Sequence, residues 1–352
     1  MQKKTLPSAA LRLSLLAVAF VAVFLASFCL GRYPLSPVTV CRILLYGGIR
    51  RLQALPLLSG LQNLTPTWEA AAETVVLNVR LPRVLAAVLI GAALSVAGAA
   101  YQGMFRNPMV SPDILGASAG AGFGAATAIY LGFGYAMISA TSFVFGLAAV
   151  LLAWLVSRVS RVGEVLAMVL SGMVISSLFS AATSFIKLIA DTESVLPAIT
   201  YWLMGSLSSI RMEDLKYAHI PILAGLILLF LLRWRLNLLT AGDEEARSMG
   251  VNTTLLRTLI ILSATLVTAA SVSISGMIGW VGLVIPHFCR LLLGSNYKRL
   301  IPSAMLMGST FLLVVDNVSR LAASTEIPIG ILTSFIGAPV FVLLLLTGGA
   351  RE

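Results

Sequence analysis

Asp316 and Arg320 stand four residues apart in an otherwise apolar run, and their types and spacing point to specific chemistry. That spacing puts both on one helix face, where a carboxylate and a guanidinium can pair. Ionisable groups inside apolar segments mark ion paths, proton relays or docking points. A relay through Asp316 needs a second buried acid to complete it, and none is evident, so a structural or docking role is favoured over ion coupling. Charge is also concentrated in GDEEARSMGV (242–251), where Asp243, Glu244, Glu245 and Arg247 separate two apolar runs. The segment is too hydrophilic to enter a bilayer. It reads either as a solvated loop or as a short charged helix held between two spans, a natural knob for a soluble partner. Ser171, Ser176, Ser177, Ser180 and Thr183 lie along a further apolar run. They suit helix packing.

Other chemistries are missing from the sequence. No G-x-x-x-x-G-K-[ST] phosphate loop occurs and no nucleophile–base–acid set can be assembled, so the chain is not expected to be an enzyme or to hydrolyse ATP. Cys29, Cys41 and Cys289 have neither disulfide-framework nor metal-ligand spacing. His219 and His287 are too few and too far apart for a metal site. No cofactor is expected in this chain.

The elements that must position these residues are membrane helices. Hydrophobic residues make up 59% of the 352 positions and charged residues 11%, against about 25% charged in soluble domains; the mean hydropathy is +0.98. Apolar runs recur at 9–31, 84–105, 114–134, 136–157, 165–190, 218–236, 255–275, 277–293, 303–323 and 327–347. Each approaches the ~20 residues that cross a bilayer core, and none alternates as barrel strands do. The expectation is an all-α integral membrane protein of about ten spans, residues 1–352 forming one transmembrane domain. The first run is too long for a signal-peptide core and lacks a small-x-small cleavage site before Gly31-Arg32, so it reads as a retained helix. The net charge of +10 sits in short segments between spans, which speaks against nucleic acid as a partner.

Placing both termini in the cytoplasm puts Lys3, Lys4, Arg106, Arg158, Arg161, Arg233, Arg235, Arg247, Lys298, Arg299 and Arg351 on or near that side. The outside receives Arg32, Arg42, Arg50, Arg51, Arg80, Arg83 and Lys187. Two connections stand out: an outer loop at about 32–79, with Pro34, Pro37, Pro56 and Pro66, and the polar cytoplasmic segment 237–251.

Arg80 to Gly122 is the most telling stretch. A basic RLPR leads into an apolar run, breaks at Asn107-Pro108 and at Ser111-Pro112-Asp113, and restarts with Gly116, Gly120 and Gly124 four apart. Such glycines line one helix face and let a neighbouring helix approach, and Asp113 is a plausible cap for that helix. A dinucleotide-binding reading fails, because no strand precedes the glycines and the G-x-G-x-x-G spacing is absent.

This stretch closely resembles a motif of the FecCD-type permeases, the membrane subunits of ATP-binding-cassette importers for iron-siderophores, haem and cobalamin. GWVGLVIPH (279–287) and EIPIGILTSFIGAPVF (326–341) look like further signatures of that family. The three blocks cover most of the chain from residue 80 onward. The resemblance implies the architecture of type II importer permeases, working as two copies around a central path in the inner membrane of a bacterium. It makes Gly242–Gly250 similar to the coupling helix that enters a groove on the ATPase, with Gly242, Glu244, Ala246 and Gly250 on the family pattern and Asp243, Arg247 and Met249 at its variable positions; Glu245 lies within the same segment. It makes Arg80, Arg83 and Arg320 correspond to outer-face arginines that receive glutamates of a periplasmic or lipid-anchored substrate-binding protein. Asn107, Pro108 and Met109 fall where the family narrows its cytoplasmic gate, and the span at 165–190 where it lines the path, so that Ser171, Ser176, Ser177, Ser180 and Thr183 would form a weakly polar wall there, an explanation no better than helix packing. Two ATPase subunits, carrying ATP and magnesium, and a second permease copy are the other implied partners. Ferric siderophore is the first cargo implied, with haem and cobalamin close behind. The competing readings are an ion-coupled secondary transporter using Asp316 and a membrane subunit that moves nothing.

Overall fold

The computed structural model describes residues 8–53, 66–161 and 163–348. Lys3, Lys4, Pro56 and Arg351, used in the expectations above, lie outside them. The described residues form helices and connections without a strand. The chain begins with α1 (Ala9–Cys29) and α2 (Pro37–Gln53). A short α3 (Ala70–Thr74) runs through a π-helical turn, Val75–Arg80, into α4 (Leu81–Met104). Then come α5 (Ala117–Tyr130), α6 (Tyr135–Val159), α7 (Glu164–Ile189), α8 (Val195–Leu203) and α9 (Met212–Ala241). The six-residue α10 (Asp243–Ser248) is followed by α11 (Thr253–Ser275), α12 (Val281–Leu293), α13 (Tyr297–Leu321) and α14 (Ile329–Gly348).

The ten apolar runs each fall on a helix. Among the described residues seven helices are long and apolar enough to cross a membrane: α1, the 35-residue Ala70–Met104, α6, α7, α9, α11 and α13. The remaining three runs hold α5 with 14 residues, α12 with 13, and α14. The molecule is thus an all-α, multi-spanning membrane protein. Two features were not expected. Helix starts at Ala70, ten residues inside the supposed outer loop, and passes Pro82 without a break. The π-helical turn accommodates this: the Leu81 N–H reaches back to Val76 O, five residues away, so the ladder widens just before the residue that has no N–H to give. And α8 is a helix too short for any hydropathy window to reveal.

α4 is the central post. Over its most apolar window 83% of the residues are buried, whereas none is in the corresponding window of α1, which lies at the bundle's periphery. Between membrane helices, apolar surface alone gives little drive to associate, and close packing of small residues takes over. A Cβ on Gly91 would lie 2.3 Å from Gly308 O of α13, and one on Gly98 only 1.8 Å from Gly282 O of α12. Gly120 and Gly124 play the expected part against α6, where added Cβ atoms would meet Phe145 O at 2.4 Å and Thr141 O at 2.5 Å.

Gly116 and Asp113 differ from expectation. Pro112–Leu115 is a 3-10 turn, and Gly116, left-handed at φ +89°, caps α5. Asp113 is therefore not the cap; its carboxylate accepts the hydroxyl of Ser118 in the first turn of α5.

Candidate functional site

Helix ends sort onto two faces of the bundle. One face carries α10 with the ends or starts of α4, α7, α9, α11 and α13. There Asn237 Oδ1 accepts the Tyr297 N–H at 2.9 Å, and its Nδ2 donates to Asn296 Oδ1 at 3.3 Å. The other face carries the end of α1, the start of α4 and the end of α13.

The 242–251 segment is a short helix, not a loop. Gly242 opens it at φ +143°, a conformation open essentially to glycine alone, and Gly250 closes it at φ +78°. Ala246 is fully buried and anchors the helix, while Glu244, Glu245, Arg247, Ser248 and Met249 face outward. Arg247 Nε donates to Thr253 Oγ1 at 3.2 Å. Asp243 looks inward: its two oxygens accept from Arg257 Nη2 at 2.8 and 3.0 Å. The same guanidinium uses Nη1 on Glu164 Oε2, the first residue of α7, at 3.2 Å. The knob is thus tied to two long helices through one buried arginine.

Next to it lies the break after α4. Arg106 adopts φ +51°, and Asn107, Pro108 and Met109 are exposed. Asn107 Oδ1 accepts the Met109 N–H at 2.9 Å, a local turn that needs no helix. Gln102 holds the loop from behind, donating to Val110 O at 3.1 Å while Arg290 donates to its Oε1 at 2.7 Å. A cavity of about 520 Å³ is lined by Asn107, Glu164, Asp243 and Arg257 together with apolar residues of α7, so the loop, α7 and α10 share one space.

The opposite face holds Arg80, Arg83 and Arg320, and they are buried, at 3%, 3% and 7% exposure. Arg80 Nη1 donates to Phe28 O at 2.6 Å, and Nη2 donates to Tyr33 O. Arg83 Nε donates to Asp316 Oδ1 at 2.7 Å, and its Nη1 to both oxygens of Glu326, at 3.0 and 2.8 Å. Arg320 Nε sits 3.2 Å from Asp316 Oδ2, the expected pair on one helix face, and Nη1 donates to Leu30 O at 3.1 Å. Arg320 Nη2 adds Asn317 Oδ1. The resemblance implied outer-face arginines that receive a partner's glutamates; in the structure the hydrogen-bonded donors serve this chain's own carboxylates and carbonyls. A pocket of about 170 Å³ opens over them, lined by Arg32, Tyr33, Val79 and Glu326 as well.

On α7 the hydroxyls divide. Ser171 is buried and Ser176 half-buried against α5's start, donating to Gly172 O at 2.7 Å. Ser177 and Ser180 are exposed, on a face shared with Leu166, Leu170, Met173 and Ser184. That face carries no charge between Glu164 and Lys187. Elsewhere three chain breaks lock together: Ser206 N donates to Ser275 O at 2.7 Å, Ile329 N to Gly205 O at 2.9 Å and Gly330 N to Met204 O at 3.1 Å. They border a cavity of about 570 Å³ lined by Met204, Met277, Ser334 and Phe335. Non-helical backbone in a membrane protein belongs where it is packed in protein or lines a cavity.

Sequence reasoning missed Glu164, Arg257, Glu326, Gln102 and Arg290. All but Gln102 had a signal: each is an ionisable residue at or inside the edge of an apolar run. Among the described residues no group of three or more His, Cys, Asp or Glu is arranged to hold a metal.

The sequence profile of the FecCD transport family matches residues 18–347. The molybdate import system permease protein MolB of Haemophilus influenzae is 44% identical over 80% of this chain and 84% of its own length. The cobalamin import system permease protein BtuC of Halobacterium salinarum is 38% identical over 78% of this chain and 74% of its own. A solved structure described as a metal-chelate type ABC transporter in an inward-facing conformation superposes with a TM-score of 0.81 at 39% identity, covering 95% of this chain and 98% of that one. With the matched segment spanning all but the ends, this chain belongs to the FecCD transport family.

Proposed function

We propose that this chain is the membrane-spanning subunit of an ATP-binding-cassette importer that carries a metal chelate, ferric siderophore first, from a substrate-binding protein into the cytoplasm. The observation that carries this reading is α10: a six-residue charged helix with its outer face free and its inner face clamped to α7 and α11. In a membrane protein with no phosphate loop of its own, such a knob suits a partner that supplies the energy. Two ATPase subunits would dock there, which makes that face cytoplasmic. The helix-end arginines at 106, 158, 161, 233, 235 and 247 then fall inside, as the positive-inside rule favours. A second copy of the chain would complete the path along the exposed face of α7. Uncharged, lightly hydroxylated walls suit a bulky chelate that must pass without sticking, better than a small bare oxyanion, which would call for fixed positive charge.

The binding protein would dock on the Arg83–Glu326 face. Its carboxylates must compete with Glu326, the most exposed acid of that cluster, with a side chain 30% accessible. Ion coupling through Asp316 is disfavoured by its position between two guanidinium groups, which hold the carboxylate as their counterion.

The test is to purify the tagged chain from its native membrane in mild detergent and to identify what accompanies it, with metal analysis of any associated binding protein. A co-purifying ATPase and ATP-dependent uptake of a ferric chelate are expected. A chain that comes alone, with uptake untouched by ATPase inhibition, would overturn the reading.

A further inference from the structure

Arg257 has no place in the docking, gate or path assignments, yet its surroundings are unusual. It sits in the first turns of α11, a helix whose most apolar window is 67% buried, and its own side chain is only 7% exposed. A guanidinium so placed needs counter-charges, and it takes them from two different elements: Asp243 of α10 on Nη2 and Glu164 of α7 on Nη1. Its Nε is buried without a hydrogen-bond partner among the described residues, so the fork is held by its two terminal nitrogens. The carboxylates lie at element ends, Asp243 opening α10 and Glu164 opening α7, and their side chains are 33% and 62% exposed. Both, with Arg257 and Asn107, line the same cavity of about 520 Å³.

We propose that Arg257 is the positioning residue that transmits movement of α10 to the path helix α7 and the gate loop. The inference rests on the reading of α10 as the ATPase docking element. The physical argument is one of stiffness. α10 reaches α7 through no backbone hydrogen bond among those found outside the helices, and the side-chain hydrogen bonds that join them run through the planar fork of Arg257. Two charge-assisted bonds on one rigid plane fix direction as well as distance. A displacement of Asp243 therefore rotates or drags the guanidinium and loads Glu164, at the N-terminal end of the helix with the exposed serine face. Coupling that runs through a named pair of contacts can be cut without touching either end.

The experiment uses the complex of this chain with its co-purified ATPase, reconstituted in liposomes. A reporter is placed in the gate loop by Met109→Cys, 43% exposed in the native chain, with Cys29→Ser and Cys41→Ser to silence the accessible native thiols. Maleimide labelling of the reporter is measured with and without Mg-ATP and vanadate, beside the rate of ATP hydrolysis. We expect nucleotide to change reporter labelling by about fivefold or more, and Glu164→Gln to shrink that change below about twofold while hydrolysis stays within about twofold. Arg257→Gln should do the same, and Arg257→Lys should restore part of the response. Glu164 is exposed enough for its variant to fold whatever Arg257→Gln does. A full nucleotide response in Glu164→Gln would overturn the inference and leave α10 docking intact. A reference complex with no nucleotide response, or with no ATPase attached, would overturn both.

Discussion

At each end of the bundle a buried arginine is held between two carboxylates from other elements, and the two clamps differ in how deep their acids lie. On the Arg83 side the shared acid, Asp316, is wholly buried and serves a second guanidinium from its own helix. On the Arg257 side the arginine is buried like Arg83, but both of its acids reach water. The first arrangement joins α4 to α13, two long helices already fused by the Gly91–Gly308 contact. The second joins a six-residue helix to the start of a span. A buried carboxylate between two cations has nowhere to go and acts as a lock. An exposed carboxylate on a buried cation can slide, hydrate and re-form, as a coupling joint must. The same residue types thus give rigidity or compliance according to whether a carboxylate is buried along with the arginine.

The comparison breaks first at Asp316. Asp316→Asn removes the counterion shared by Arg83 and Arg320 and leaves two buried guanidinium groups face to face, so it should cost ~3–5 kcal/mol. Thermal unfolding of the purified chain in detergent measures this, and an unchanged midpoint would show that the cluster is no lock. Arg257→Gln should be the next largest. It strands two acids that can turn to water, so the loss expected is ~2–3 kcal/mol, read in the same assay. A loss equal to that of Asp316→Asn would erase the contrast drawn between the two clamps.

The contrast also explains what could be read without a structure. The helical character of the apolar runs was legible because a helix is the element that satisfies its own backbone in a bilayer. Asp316 with Arg320 was legible because a helix converts a spacing of four into contact. Arg83 with Asp316 was not: 233 positions separate them, and 93 separate Arg257 from Glu164. Nothing in a linear pattern says which face of which helix meets which. The arginines of RLPR were visible as charges, but whether they point outward or inward is decided by Phe28, Tyr33 and Glu326, which arrive from distant segments. The same limit hid the junction around Met204, Gly276 and Ile329, whose backbone hydrogen bonds have no side-chain signature. Gly91 and Gly98 did carry a signal, two turns apart on one face, but not the partners that give it meaning.

A third prediction sharpens the compliant side. Gly242→Ala places a Cβ at φ +143°, 2.0 Å from Glu245 Oε2. The carboxylate can swing away, but the backbone cannot, so α10 should shift at a cost of at least ~1 kcal/mol. ATPase retention during affinity purification should fall, with little change in the unfolding midpoint because α10 is peripheral to the core. A chain that retains its ATPase fully after this change would show that the orientation of α10 is not what the partner reads.

The smallest effect is the most discriminating. Glu326→Gln keeps the shape of the side chain and its capacity to accept one bond from Arg83, but removes the charge. The side chain is 30% exposed, and Arg83 retains Asp316 at 2.7 Å, so the stability cost should be about 1 kcal/mol or less. If the Arg83 face receives the carboxylates of a binding protein, Glu326 is their internal rival for Nη1. Its neutralisation should then tighten binding of that protein, by a margin that narrows as salt rises. Titration of the purified binding protein onto the reconstituted permease at two ionic strengths reads the sign directly. Weaker binding would instead make Glu326 part of the surface that the partner recognises, and Arg83 a purely structural residue, as fixed in its place as Asp316.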